Sequence, residues 1–439
     1  MPHEPSARAP RLRVADFSRV LAGPYATMML ADFGADVIKI ESPAGDDTRQ
    51  WLPPTDAQGA STYFGAVNRN KRSVVCDLGT VEGRAAAWRL ATTADVVVEN
   101  FRPGVMERFG LGYEAVRAAN PGVVYCSITG FGAGAGARLP GYDLLVQAVG
   151  GLMSVTGPVE GEPSKVGVAL VDVLAGLNAL SGILLALRER DSRGDAGAAE
   201  ATGPGRASGG RVEVDLLTTL LSALTNQAAG TLATGHSPAR LGNAHPSIAP
   251  YELFAASDRD LVIAVGTDSQ FRTLVRLLGA PGLATDPRFL GNADRVRHRA
   301  DLRPALEALL RAHPAAHWVD TLTDAGVPAG LVNSISEAFA FAEGLGTASV
   351  VELVSGSDPR RVSRQVANPI HLGDRPAGYL LPPPRLGEHA GADWLGPDAH
   401  SAPGAAASAE PAPAPVPAPA FRPTPAPPTA LRRTEQDLS

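Results

Sequence analysis

The sequence of 439 residues predicts an α/β protein with a mostly parallel β-sheet and helices on both faces of that sheet. Short apolar runs typical of buried strands alternate with helical segments over residues 12–129. The apolar fraction of 44% and the charged fraction of 19% are those of a globular protein. Because the chain is too long for one ordinary core, we expect two domains.

The alternation is clearest over residues 12–41. "LRVADFS" predicts a strand, Gly23-Pro24 opens a helix that tolerates proline in its first turn, and "ADVIKIE" predicts a second strand. Further strands are predicted in "SVVCDL", "DVVVENF" and "VVYCSI". Helices are predicted in "TVEGRAAAWRLATTA", with Thr80 as the N-cap, and in "YEAVRAAN". These elements are the strands of the predicted sheet and helices expected to cover it.

The region around Asp172 is predicted to be a buried strand, "VGVALV", followed by a long helix. Residues 191–211 are rich in glycine, alanine and serine, which predicts a flexible loop or insertion. The segment "VEVDLLTTLLSALTNQAAGTLATG" is then predicted to resume regular structure as a long helix. The second half of the larger domain is therefore expected to be mainly helical.

The pattern changes again in "ELFAASDRDLVIAVG", which predicts two short strands around a turn. Two amphipathic helices follow in "DSQFRTLVRLLG" and "DLRPALEALLRAH". We therefore predict a large domain over 12–227, a small α/β domain over 228–330 and a return to the large domain over 331–395. Residues 396–439 are dominated by proline and alanine and are predicted to be disordered, because they cannot bury a core.

Composition argues against several classes of function. The formal charge of −6 gives no reason to expect nucleic-acid binding. Cys76 and Cys126 lie in apolar runs without a metal-binding spacing, so we expect buried free thiols and no metal. The uncharged run Val173–Leu187 is shorter than the ~20 residues of a membrane-spanning helix. With no apolar signal segment in the first residues, the sequence predicts a cytoplasmic protein.

Asp172 is the one charged residue of the apolar stretch Val166–Leu187. Burying a carboxylate is costly, so this position needs an explanation. One interpretation is a helix N-cap at the junction of the predicted strand and helix. The other is a nucleophile that the helix N-terminus keeps ionised, since a carboxylate can attack a carbonyl and form a covalent intermediate. The two interpretations are compatible.

Asn100, Arg102 and Arg108 follow the C-terminal end of a predicted strand, the edge at which α/β sheets bind ligands. Arginine suits phosphate by charge and geometry, and the alternative is a solvated helix start. The glycine-rich segment "ITGFGAGAGARLPGYD" predicts a flexible loop and contains no phosphate-binding P-loop. The three cations of "NRNKRS" indicate either a solvated turn or a cradle for an anion.

A series of motifs resembles the class III CoA-transferase family, the CaiB/BaiF type that includes formyl-CoA transferase. The motifs are "DFSRVLAGPYATMMLADFGADVIKIESP", "NRNKRSVVCDL", "DVVVENFRPGVMERFGLGYE", "ITGFG", "PGYDLLVQAVGGLMSVTG", "KVGVALVDVLAGLNALSGILLAL" and "RLGNAHPSIAPYELF". The resemblance extends from about residue 12 to residue 390 and rests on the order and spacing of the series.

The resemblance implies a large Rossmann-like domain built from both ends of the chain, a smaller middle domain, and two chains interlocked as a homodimer. It implies no permanently bound cofactor, with acyl-CoA and a small carboxylic acid as substrates. The family's catalytic aspartate falls on Asp172. The positions that contact CoA, or lie near it, fall on Val20, Leu21, Ala22, Asn100, Phe101, Arg102, Arg108, Arg138 and Tyr142.

The implied activity is CoA transfer through an aspartyl mixed anhydride and an aspartyl-CoA thioester. "GNAHPSIAPY" replaces the glycine run of formyl-CoA transferases, which resembles relatives acting on larger acids, including dicarboxylates. One alternative is an α-methylacyl-CoA racemase, although Tyr142 stands where those enzymes carry the histidine of a "GHD" motif. Another is a CoA-binding protein without turnover, since "GAGAG" replaces the family's usual "GQTGP".

Overall fold

The computed structural model describes residues 11–198, 208–373 and 375–396. Six strands form its largest sheet: β1 (Arg13–Asp16), β2 (Asp36–Glu41), β3 (Lys71–Val75), β4 (Val96–Glu99), β5 (Val124–Thr129) and β6 (Arg211–Asp215). All neighbouring strands pair in parallel, in the order β3–β2–β1–β4–β5–β6. This order belongs to doubly wound dinucleotide-binding folds and confirms the predicted α/β class with a parallel sheet.

Helices cover both faces of this sheet. The helices of this part of the chain are α1 (Ala22–Asp32), α2 (Thr62–Ala66), α3 (Val81–Thr93), α4 (Val105–Arg108), α5 (Tyr113–Ala119), α6 (Asp143–Val149), α7 (Leu152–Val155), α8 (Leu170–Ala198), α9 (Leu216–Ala223) and α10 (Thr225–Thr234). Val14 and Val96 pack against α1 and α8 on one face. Their chain neighbours Ala15 and Val97 pack against α3 on the other, as the alternation of a strand buried on both faces requires.

Three predictions about the region after residue 165 were wrong. Residues 166–169 form no strand, because helix α8 begins at Leu170 and the sheet position beside β5 belongs to β6. The segment 191–198, predicted to be a loop, continues α8, and residues 199–207 lie outside the described residues. The segment predicted to be one long helix starts instead as strand β6, whose "VEV" alternation suits a strand, and then forms two helices, α9 and α10.

Helix α8 is long and apolar enough, by length and composition alone, to cross a membrane over Leu170–Arg193. Its inner side is buried in the core through residues that recur at helical spacing: Val171, Ala175, Ala179, Ile183 and Leu187. Its outer side exposes Leu184 and Leu185. Helix α8 therefore packs its inner side on the sheet as part of the core and exposes apolar residues on its outer side.

A second, antiparallel sheet contains β7 (Tyr251–Ala255), β8 (Asp260–Ala264) and β9 (Ala329–Leu331). It packs with α11 (Asp268–Leu277), α12 (Asn292–Arg297), α13 (Arg299–Leu310) and α14 (Ala315–Asp324), and Phe254, Phe271 and Trp318 belong to its separate hydrophobic core. The predicted strand pair and amphipathic helices are confirmed. The predicted boundary at 227/228 falls inside α10, and the one at 330/331 falls inside β9, which pairs with β8. The domain boundaries stay predictions.

The segment after residue 331 contains α15 (Ile335–Gly344) and a hairpin of β10 (Val350–Val354) and β11 (Val362–Val366). It then contacts the first sheet again. Asn368 donates to Asp32 of α1 at 2.9 Å, and the His389 N–H donates to the Ser73 carbonyl of β3 at 2.9 Å. The return to the large domain over 331–395 stays a prediction. The predicted disordered tail lies outside the described residues from residue 397 onward.

Both interpretations of "NRNKRS" were wrong. Its cations are neither solvated nor facing a ligand, because each is buried against an aspartate: Arg69 with Asp32 at 2.7 Å, Lys71 with Asp16 at 3.0 Å, and Arg72 with Asp36 at 2.7 Å. Buried charges require such pairing. Cys76 and Cys126 are buried and free as predicted, and burial raises the pKa of both thiols.

Candidate functional site

A cavity of about 670 Å³ lies at the C-terminal edge of the parallel sheet. The segments that follow β1, β2, β4 and β5 line it, together with Asp172 and Leu216. The strand order reverses between β1 and β4, so the chain diverges there and leaves a crevice. Open α/β sheets bind their ligands at this kind of position. The topology of the sheet therefore explains where the cavity forms.

Eight of the ten predicted site residues line this cavity: Val20, Leu21, Ala22, Asn100, Phe101, Arg102, Tyr142 and Asp172. Arg108 is the last residue of α4 and does not line the cavity. Arg138 ends a 3₁₀ turn between the lining residues Ala137 and Leu139 and does not line it either. The structure therefore brings together residues that are up to 152 positions apart, Val20 and Asp172.

Asp172 lies in the first turn of α8, where the helix has free N–H groups. The N-cap interpretation of Asp172 was wrong, because another residue satisfies those groups. The Asp143 Oδ1 atom accepts the N–H of Val171 at 2.8 Å and the N–H of Asp172 at 3.2 Å. Asp143 is in turn held by Gln147, whose Nε2 donates to Asp143 Oδ2 at 2.5 Å. The Asp172 side chain therefore does not cap its own helix, and Asp172 lines the cavity.

The pKa of Asp172 is raised from its usual 3.8 to about 7, first by burial and second by the neighbouring carboxylate of Asp143. The direction of this shift is opposite to the one expected from the helix N-terminus alone. A mixed population of carboxyl and carboxylate exists near neutral pH. Raised pKa values of this kind are typical of functional sites, where burial and like charges are brought together.

Tyr63 and Trp51 belong to the site but did not stand out in the sequence. Trp51 lines the cavity, and its ring meets that of Tyr63 edge to face at 5.0 Å. Burial and the carboxylates of Asp172, Asp143 and Asp46 raise the pKa of Tyr63 to about 12. The phenol therefore stays protonated near Asp172. Neither residue forms a motif: Trp51 reaches the cavity only in the folded chain, and Tyr63 lies behind it in ring contact.

The glycine-rich segment is more constrained than a flexible loop. A Cβ atom on Gly130 would lie 2.3 Å from the Gly141 Cα, and a Cβ atom on Gly141 would lie 2.6 Å from the Gly130 Cα. The two backbones therefore cross in direct contact where the segment leaves β5 and where it approaches α6. Only glycine permits this approach at either position. The crossing closes the segment into a loop over the cavity, since Gly130 and Gly141 both line it.

The side chain of Asn100 is occupied within the protein. Its Oδ1 accepts the N–H of Arg19 at 2.8 Å, and its Nδ2 donates to the Arg19 carbonyl at 2.7 Å. Arg102, on the same segment, lines the cavity with a guanidinium suited to phosphate. The segment after β4 therefore combines a residue that braces the cavity wall with a residue able to bind an anion.

Comparison with known proteins shows a match over nearly the whole described region. A family model described as CoA-transferase family III matches residues 11–390. The succinate–glutarate CoA-transferase of Agrobacterium fabrum is 41% identical over 385 residues, which cover 86% of this chain and 92% of that protein. The acetyl-CoA:oxalate CoA-transferase of Acetobacter aceti is 42% identical over 340 residues, which cover 77% and 84% of the two chains.

Solved structures show the same relationship. The crystal structure of a CaiB/BaiF family protein from Brucella suis matches with a TM-score of 0.74 and 40% identity, covering 86% of this chain and 96% of that one. A protein from Mycobacterium tuberculosis matches with a TM-score of 0.74 and 31% identity, covering 88% and 98% of the two chains. The similarity therefore extends to the arrangement of the whole fold.

Proposed function

Because this chain belongs to CoA-transferase family III and is therefore a transferase, we propose that it moves CoA from an acyl-CoA donor to a free carboxylic acid through the Asp172 carboxylate. One observation carries the proposal. Asp172 lines the cavity at the point where the strand order of the sheet reverses, beside most of the residues expected to contact CoA. A nucleophile and a thioester substrate would meet there.

The first half-reaction breaks the donor thioester. The ionised Asp172 carboxylate attacks the thioester carbonyl, a C–O bond forms, and the C–S bond breaks to release CoA thiolate. The product on the enzyme is a mixed anhydride between Asp172 and the donor acyl group. The thiolate then attacks the Asp172 carbonyl carbon, which expels the donor as a free carboxylate. CoA is now held as a thioester of Asp172, and no net proton is consumed.

The second half-reaction reverses these steps with the acceptor. The acceptor carboxylate attacks the aspartyl thioester, expels CoA thiolate and forms a new mixed anhydride with Asp172. The thiolate attacks the acceptor's carbonyl carbon, which yields the acceptor's CoA thioester and restores the Asp172 carboxylate. Backbone N–H groups of the glycine-rich loop would stabilise the oxyanion at each addition. Exclusion of water would protect the anhydrides from hydrolysis.

The environment of Asp172 supports this role. A carboxylate with a pKa of about 7 is more basic than an exposed aspartate, and a more basic oxygen is the stronger nucleophile. Tyr63 keeps its proton near Asp172 and can donate a hydrogen bond to a carboxylate or to an oxyanion. The Asp143 cap fixes the backbone from which Asp172 projects.

We propose dicarboxylic acids as the substrate class. The relative from Agrobacterium fabrum is named for succinate and glutarate, and that from Acetobacter aceti for acetyl-CoA and oxalate. A relative from Haloarcula hispanica, 38% identical, is named for succinyl-CoA and mesaconate. A homodimer is the proposed assembly, because a second chain would cover the apolar outer side of α8. The cytoplasmic location stays a prediction.

A panel experiment tests the activity. The purified protein is incubated with several acyl-CoA donors and free mono- and dicarboxylic acids, and the CoA products are identified by mass spectrometry. We expect new thioesters of dicarboxylic acids. Asp172→Asn should lower transfer on the order of a thousandfold or more. Asp191→Asn, an exposed aspartate on the same helix, is the matched control and should retain the wild-type rate.

The outcomes separate the alternatives. Hydroxylamine added with acyl-CoA should trap a hydroxamate on Asp172 if the covalent pathway operates. Exchange of the donor's α-proton with deuterated water in the absence of an acceptor would instead support a racemase. CoA binding without transfer or exchange would indicate a binding protein. Retained transfer by Asp172→Asn would contradict the assignment of Asp172 as nucleophile.

A further inference from the structure

The backbone between β1 and α1 is held by side chains. Each of five consecutive polar groups, from the N–H of Ser18 to the N–H of Val20, bonds to a side chain. The Ser18 N–H donates to Asp16 Oδ1 at 3.0 Å, and Lys39 Nζ donates to the Ser18 carbonyl at 2.8 Å. Asn100 pairs with both backbone groups of Arg19. This segment, Ser18–Val20, contributes Arg19 and Val20 to the cavity wall.

The last of these bonds holds an unusual conformation. Val20 has φ of 68°, in the left-handed region that a β-branched residue rarely adopts. Its N–H donates to the Asp46 carboxylate, at 3.2 Å from Oδ2 and 3.3 Å from Oδ1. Strained residues of this kind persist only where their surroundings force the conformation, and they cluster at functional sites. The bonding pattern therefore indicates a wall that is imposed on the chain.

Asp46 is itself fixed by further side-chain and backbone contacts. Its Oδ2 pairs with Lys39 Nζ at 2.9 Å, and both side chains are fully buried. Its Oδ1 accepts the N–H of Thr48 at 3.0 Å and the hydroxyl of Thr48 at 2.8 Å. Asp46 does not line the cavity, so it cannot act by touching a ligand there. Its contacts with the Ser18–Val20 segment are the bond from the Val20 N–H and, through Lys39, the bond to the Ser18 carbonyl.

We propose that Asp46 and Asn100 are positioning residues that clamp Ser18–Val20 in the strained conformation in which it forms a wall of the acyl-CoA cavity. The inference rests on the proposed function for the identity of the ligand. It assigns Asn100 a role different from the direct CoA contact that the family resemblance implied. It also explains why the Lys39–Asp46 pair is buried, since a fully buried ion pair stabilises a fold only weakly and here holds the Ser18–Val20 backbone.

The test compares Asp46→Ala with Asp36→Ala. Asp36 begins β2 at the sheet edge opposite the cavity and forms a buried ion pair with Arg72 at 2.7 Å, so it is a matched control for stability. CoA affinity is measured by calorimetry, and KM for acyl-CoA is separated from kcat. Both variants should lower the melting temperature. Only Asp46→Ala should weaken CoA binding and raise KM, by about tenfold. A folded Asp46→Ala protein with unchanged CoA affinity would overturn the proposal.

A second comparison decides the matter if Asp46→Ala does not fold. Asn100→Ala is made in the wild-type chain and in the Val20→Gly background, since glycine adopts left-handed conformations without strain. We expect Asn100→Ala to weaken CoA binding about tenfold in the first and about twofold in the second. Equal losses in both backgrounds would mean that Asn100 contacts CoA directly and would overturn the clamp.

The clamp and the proposed function fail in different ways. Calorimetry with CoA requires no turnover, so the comparison of variants stands even if the wild-type protein transfers CoA to none of the acids in the panel. That result would contradict the proposed function alone. Wild-type transfer together with equal CoA affinity in all folded variants would contradict the clamp alone.

Discussion

The carboxylate of Asp143 accepts the backbone N–H of Asp172, with 3.2 Å between Asp143 Oδ1 and the Asp172 nitrogen. The same carboxylate therefore positions the backbone of the proposed nucleophile and repels the negative charge on its side chain. The two residues are 29 positions apart and belong to different helices, α6 and α8. Asp143 therefore affects both the position of Asp172 and the pKa of its side chain.

Asp143→Asn should move the acid limb of the pH–activity profile to lower pH. Burial and the Asp143 charge raise the pKa of Asp172 to about 7, and transfer needs the ionised form, so activity rises as pH increases through that value. Removing the charge lowers this pKa while burial still raises it, so the limb shifts without reaching the usual value of 3.8. The measurement is kcat/KM from pH 5 to pH 9. An unchanged limb would show that Asp143 does not influence the titration of Asp172.

Asp172→Asn should be more stable than the wild-type protein at alkaline pH. The folded-state pKa of Asp172 lies above its unfolded value, so stability from this group is present at low pH and is lost as pH rises from about 4 to about 7. The neutral amide never bears that cost. We expect the gain in unfolding free energy to grow by about 2 kcal/mol between pH 5 and pH 8, discounted for partial exposure. Urea unfolding measures it, and a gain independent of pH would refute the assignment.

Much of the larger sheet could be predicted because its strands carry local signals. "ADVIKIE" and "DVVVENF" are apolar, β-branched and bounded by turns, and they form β2 and β4. Strand β6 could not be separated from the helix that follows, because "VEVD" runs directly into "LLTTLL" without a turn residue. Its pairing with β5 depends on a connection through α8, which no local pattern reports.

The site was predictable in position but only partly in role. Asp172, Asn100 and Tyr142, which the family resemblance singles out, all line the cavity. The resemblance did not reveal that the Asn100 side-chain amide bonds to the backbone of Arg19, or that Asp143 caps the helix of Asp172. Both relationships join residues distant in the chain and depend on distances of a few ångströms. A sequence shows which residues are present, whereas these roles follow from which groups the fold leaves unpaired.

Lys71→Met should strongly destabilise the protein. The buried ammonium lies 3.0 Å from Asp16 Oδ2 and also bonds to the carbonyl of Pro24 and to Asn68. Burial alone would raise the pKa of Asp16, but Lys71 and Lys39 and hydrogen bonds from Ser18 and Thr27 lower it to about 2. Without Lys71 this carboxylate loses its closest counter-ion, at a cost of about 3–5 kcal/mol.

Urea unfolding of Lys71→Met at pH 7 gives this cost directly. Lys165→Met is the matched control, because Lys165 is exposed and should change the unfolding free energy by less than about 0.5 kcal/mol. A stability loss as small as that of the control would show that Lys71 does not compensate the charge of Asp16.

Gly141→Ala should impair transfer by distorting the loop over the cavity. The new Cβ atom would lie 2.6 Å from the Gly130 Cα and 2.9 Å from the Gly130 nitrogen, and both neighbours are backbone atoms that cannot rotate away. The crossing must therefore open, which displaces lining residues such as Phe131 and Tyr142. Misplacing groups that orient a substrate by about 1 Å costs on the order of a hundredfold in rate. We expect kcat/KM to fall by at least about tenfold.

Ala135→Ser provides the comparison within the same loop. Ala135 is exposed and does not line the cavity. Its kcat/KM should stay within about twofold of the wild-type value, because substitutions at exposed surface positions are nearly neutral. Equal losses in the two variants would mean that the whole loop must flex during turnover. Equal retention would mean that the Gly130–Gly141 crossing does not shape the cavity.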